Sequence, residues 1–144
     1  RIETAISLMD RENIMHYPLA LLTKEHDRVT IWATLRAKPT FSLEIYSKTG
    51  RPSEKRPAGL VLREVPLDQI ELKRHFSMAS SDEARAGDVL RDKELQGSLL
   101  RATDFLKYLL IDEAESRVFL TGKLTEESLG ILLDIALASG KGID

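Results

Sequence analysis

The stretch from Lys73 to Ala138 constrains the fold more than any other part of the chain. Strand, capped helix, second helix, hairpin and final helix follow one another there with almost no slack. That order lacks the regular strand–helix alternation a parallel sheet requires, because each parallel pairing needs a crossover. An antiparallel sheet with helices packed on one face is the economical alternative. The expectation is an α+β fold, mainly an antiparallel sheet of about six strands, with its helices on one face.

The individual segments support that reading. Val29 to Arg36 alternates, with Val29, Ile31, Ala33 and Leu35 on one side and Thr30, Trp32, Thr34 and Arg36 on the other. Phe41, Leu43 and Ile45 repeat the pattern, opposite Ser42, Glu44 and Tyr46. Joined through Pro39, the two read as a hairpin with Ile31 opposite Ile45 and Ala33 opposite Leu43, since a one-residue slip turns a strand inside out. Leu60 to Val65 and Lys73 to Ala79 read as further strands, the latter carrying Phe76 and Met78 on one side.

Ser80 and Glu83 have the spacing of a capping box, which predicts a helix from about Asp82 to Leu90. Asp92 is placed to cap a second helix, with Leu95, Leu99 and Leu100 inward. Phe105 to Ile111 and Arg117 to Thr121 form a hairpin around a polar turn. Thr125 can cap a last helix striped by Leu129, Leu132, Leu133, Ala136 and Leu137 and stopped at Gly140. At the other end, Ile2, Ala5, Ile6 and Met9 recur at helical spacing and predict a short amphipathic helix over residues 2–12. Pro18 ends that pattern, and Leu19 to Leu22 is too short to classify.

With 144 residues and 42% hydrophobic content, one core is the default, so the chain reads as a single domain. Its first residue is Arg1 and its last apolar residue is Ile143, which reads as a domain excised from a longer chain. Cysteine is absent, which removes disulfides and thiolate metal sites. A net charge of -2 gives no overall field for nucleic acid, and none is expected as a partner. No apolar run approaches the roughly 20 residues that span a bilayer as a helix.

No chemical constellation assembles from the sequence. His16, His26 and His75 lack the spacing of a helical metal pair. Asp112, Glu113 and Glu115 crowd a turn, where solvation keeps carboxyl groups alike rather than dividing acid from base duties. Lys48-Thr49-Gly50 has no accompanying Ser-x-x-Lys, and the Gly-Lys fragments near the C-terminus lack the rest of a phosphate loop. No catalytic residue, cofactor or metal is therefore assigned.

Two surface features remain. Lys48, Arg51, Lys55 and Arg56 lie in a segment, Ser47 to Gly59, with the composition of a loop, and could meet an anionic membrane surface. Trp32 and Tyr46 share the sheet face away from Ile31 and Ile45. They form either a partner surface or a second core layer beneath the predicted N-terminal helix.

The run His75-Phe76-Ser77-Met78-Ala79-Ser80-Ser81-Asp82-Glu83-Ala84, then the leucine-rich helix, Val118-Phe119-Leu120 and the closing helix, resembles soluble domains of uncharacterised bacterial membrane-anchored proteins. The resemblance spans residues 73–138 and is structural, so it transfers no functional residue. It implies a domain facing the cytoplasm, tethered to a membrane through regions outside this chain. The combined expectation is a non-catalytic interaction or sensory domain with a protein partner. The alternative is a small-ligand binder or enzyme with a pocket between sheet and helices, using His75 with Asp82.

Overall fold

The computed structural model describes residues 2–9, 15–25, 28–35, 38–48, 59–113, 117–125 and 127–143. Among the described residues, eight strands form a single antiparallel sheet: β1 (Ile2–Met9), β2 (Met15–Glu25), β3 (Arg28–Thr34), β4 (Leu43–Ser47), β5 (Arg63–Val65), β6 (Phe76–Ser80), β7 (Leu106–Asp112) and β8 (Arg117–Lys123). Four helices among the described residues accompany it: α1 (Ile70–His75), α2 (Glu83–Leu90), α3 (Lys93–Arg101) and α4 (Ser128–Ile143). The spatial order of the strands is β1-β2-β3-β8-β7-β4-β6-β5. The α+β architecture predicted from the sequence is present, and all six anticipated strands are in the sheet together with β1 and β2.

Residues 2–9 form an edge strand paired with β2, not the amphipathic helix that apolar spacing predicts. Ile2, Thr4, Ile6 and Leu8 alternate as well as Ile2, Ala5, Ile6 and Met9 recur, so a short run satisfies both periods. Pairing with β2 decides between them. Leu19 to Leu22 belongs to β2. Pro18, which cannot donate to a ladder, falls where the β1–β2 register is broken, between the Ile6–Ala20 and Leu8–Tyr17 pairs.

The predicted β3–β4 hairpin does not form. β3 pairs with β2 and β8, whereas β4 lies between β7 and β6. The side-chain parity nevertheless holds. Ile31, Leu120, Leu109, Ile45, Met78 and Val65 stand in one transverse row across six strands, all of them buried. This row is the floor of the core, and the helices cover it. Each large apolar side chain withdrawn from water there contributes roughly 1.5–3 kcal/mol.

The helices are set by local hydrogen bonds and then by packing. Lys73 to His75 closes α1 and is not strand; β6 begins at Phe76, with Phe76 and Met78 inward as expected. The Asp82 carboxyl accepts from Arg85 N at 3.1 Å and caps α2. Ser80, expected as the cap, uses its hydroxyl elsewhere: it donates to Ser42 O at 2.7 Å and accepts from Asp82 N at 3.1 Å. Asp92 caps α3 through Glu94 N at 3.1 Å, and Leu95 and Leu99 are buried as predicted.

Before α4, Thr125 Oγ1 accepts from Ser128 N at 3.1 Å while Ser128 Oγ accepts from Thr125 N at 2.7 Å. This reciprocal pair is a capping box with serine in the glutamate position. Leu132, Ile135, Ala136 and Ser139 are the buried stripe, rotated slightly from the predicted one, and the helix continues past Gly140 to Ile143. α4 lies against β8, where a Cβ on Gly122 would sit 2.5 Å from the Phe105 carbonyl oxygen and 3.2 Å from the Leu132 side chain. Only glycine permits that approach.

Candidate functional site

With the helices on one side, the function of the opposite sheet face depends on what its strands present. Four cross-strand pairs run along β3 and β8 on that face: Arg28 with Lys123, Thr30 with Thr121, Trp32 with Phe119, and Thr34 with Arg117. The Trp32 and Phe119 rings are 5.7 Å apart between centroids and tilted by 59°. Phe119 in turn meets Tyr108 of β7 edge-on, at 6.0 Å and 62°. Such geometry matches the quadrupole preference of aromatic pairs.

The aromatic chain ends on an acid. Tyr108 O–H donates to Glu44 Oε2 at 2.6 Å, and both residues are almost fully buried, at 1% and 0% exposure. Glu44 sits on β4, beside Leu110 of β7 and Ala79 of β6. The start of β4 is anchored by Ser42: its N–H donates to Ser81 Oγ at 2.9 Å, and its hydroxyl accepts from Glu113 N at 3.0 Å. The backbone carrying Glu44 is therefore held from both neighbouring strands.

Trp32 and Tyr46 share this face, as the alternation predicts, but they stand three strand spacings apart, about 14 Å along the sheet. Both are half-buried. No N-terminal helix covers them, because residues 2–9 are strand. Phe119, Tyr108 and Glu44 complete the network and are not singled out by sequence reasoning. Their outward parity is readable in β4, β7 and β8, but the pairing that unites them is not.

Lys48 is exposed just beyond β4, its N–H donating to His75 O at 3.1 Å. Arg51, Lys55 and Arg56 lie outside the described residues. His75 and Asp82 do not converge: they flank the five-residue strand β6 at opposite ends, roughly 17 Å apart. His16 and His26 lie outside the described side chains. Asp112, expected in a solvated turn, is buried at the end of β7 with Arg117 as its cross-strand neighbour. Among the described residues, no three His, Asp or Glu side chains are grouped to hold a metal ion.

A second feature lies on the helical side. A cleft of about 120 Å³ opens between β6 and helices α1, α2 and α3, with Leu67, Leu72, Met78 and Leu90 as its apolar lining and Asp68 and Arg91 among its polar residues. Arg91 is already paired with Asp88 at 2.7 Å.

An antiparallel sheet carrying its helices on one face and an aromatic–acid network on the other defines an α+β sheet-and-helix domain. Its fold is similar to the crystal structure of the mycobacterial trehalose monomycolate transport factor A, TtfA, with a TM-score of 0.56 at 10% sequence identity. The match covers 86% of this chain and 62% of that one, so the chain spans less than two thirds of its neighbour's length. At this identity the likeness is one of fold. No protein-family model matches the chain, and no curated protein matches it. No helix among the described residues is long and apolar enough to cross a membrane.

Proposed function

We propose that this chain is a non-catalytic interaction domain of a larger bacterial protein, held at a membrane by segments outside it and serving as an accessory factor in a transport assembly. The observation that carries this reading is that Trp32, Phe119 and Tyr46, on the sheet face opposite the described helices, are each only half-buried around the buried Tyr108–Glu44 hydrogen bond. Aromatic side chains on a rigid backing supply contact area at little entropic cost, which suits a protein partner. The fold likeness to a transport factor supports the accessory role, and the resemblance over residues 73–138 supports the membrane tether.

Photo-crosslinking in cells tests it. A photoreactive residue at Phe119 of the full-length protein is expected to give one discrete adduct that sediments with membranes, and the same residue at Lys93 on the α3 surface none. Equal adducts from both positions, or none from either, sink the reading.

The cleft favours a second reading, a small apolar ligand seated between sheet and helices. A ligand at 100 times its dissociation constant adds about 2.7 kcal/mol to stability. The reading requires that Gly87→Leu, which projects into the cleft lining, abolish that gain.

A further inference from the structure

At the end of the same sheet where β3 and β7 begin and β8 finishes, a notch of about 270 Å³ is lined by Arg28, Lys107, Gly122 and Lys123. Three of its four residues are cations, and none is acidic. The notch exists because β7 carries one residue too many: Leu106 pairs with Gly122 and Tyr108 with Thr121, leaving Lys107 in a bulge. A bulge bends its strand and re-aims the extra side chain. Lys123 N donates to Phe105 O at 2.7 Å and closes the backbone behind it.

Arg28 and Lys123 are direct cross-strand neighbours on the outward face, and Glu25 of β2 is the cross-strand neighbour of Arg28 on its other side, so Lys123 and the bulged Lys107 are the cations with no acidic residue paired to them in the sheet register. All three cations are exposed. The bulge thus gathers a surplus of positive charge in the notch. A multiply charged anion relieves it.

We infer that this notch binds a phosphate group, with the Arg28 guanidinium taking two oxygens and the Lys107 and Lys123 ammonium groups supplying point charges. Arginine's planar fork matches tetrahedral oxyanions, and lysine on flexible stems follows the remaining oxygens. The phosphate belongs either to a soluble monoester or to a lipid headgroup, which present the same chemistry. The inference is independent of the aromatic strip and stands or falls without it.

The test has two arms at matched ionic strength. Glycerol 3-phosphate is titrated into the 144-residue chain and followed by amide chemical shifts. Sedimentation is measured with vesicles of phosphatidylcholine alone and of an equimolar mixture with phosphatidylglycerol. Arg28→Gln, Lys107→Gln and Lys123→Gln are compared with Lys93→Gln on α3, after unchanged thermal unfolding verifies their folds. Each notch variant is expected to weaken binding by about tenfold and Lys93→Gln to leave it unaltered. Saturable glycerol 3-phosphate binding lost in the notch variants identifies a soluble ester, whereas binding confined to the anionic vesicles and lost in the same variants identifies a headgroup. No binding in either arm, or binding that the notch variants retain or that Lys93→Gln weakens equally, overturns the inference.

Discussion

Tyr108 donates its phenolic hydrogen to Glu44 across the β7–β4 boundary at 2.6 Å, in a part of the sheet from which solvent is excluded on both residues. A buried acceptor that loses its donor retains the desolvation cost, so Tyr108→Phe is expected to destabilise the domain by about 1–3 kcal/mol although it deletes a single atom. Chemical denaturation checks this, and an unchanged midpoint would show that the hydroxyl adds nothing to the network.

Two glycines should respond to alanine in opposite directions. Gly97 lies inside α3 and has open space where a Cβ would be, so Gly97→Ala gains helix propensity and raises stability by about 0.5–1 kcal/mol. At Gly122 the same methyl meets the Phe105 carbonyl, and Gly122→Ala costs about 1–3 kcal/mol through a forced backbone shift. Thermal unfolding of the two variants side by side reads the contrast.

The start of α2 separates two capping schemes. Because Asp82 rather than Ser80 accepts the first-turn N–H, Asp82→Ala should cost about 1 kcal/mol. Glu83→Ala, which would remove half of a Ser80–Glu83 capping box, should leave unfolding unchanged. A loss at Glu83 matching that at Asp82 would restore the box.

Leu109 sits in the centre of the core row between Leu120 and Ile45, with no exposure. Leu109→Ala should destabilise by about 2–5 kcal/mol. Combined with Ile45→Val, the loss should depart from additivity by at least about 0.5 kcal/mol, because the two side chains border one cavity. Strict additivity in a double-mutant cycle would contradict the register.

Local signals were most legible where one element satisfies its own backbone. Asp92 and Thr125 at helix starts, the Leu95–Leu99 face, the β7–β8 hairpin and the outward parity of Trp32 and Tyr46 all follow from nearest neighbours along the chain. Residues 2–9 show the limit: eight residues fit a helical and a strand period equally well, and only the β2 edge beside them selects the strand.

The amino-acid order alone determined which side of each strand is apolar, since successive side chains alternate whatever the partner, and that is why Ile31 and Ile45 do share a face. Tertiary structure decided which strands meet. β8 and β7 insert between β3 and β4, separating Ile31 from Ile45 by Leu120 and Leu109 and bringing Trp32 to Phe119, Tyr108 to Glu44, and Lys107 to Arg28 and Lys123. Pairing between distant segments is chosen by the burial of the whole sheet beneath its helices, a property that no local spacing encodes.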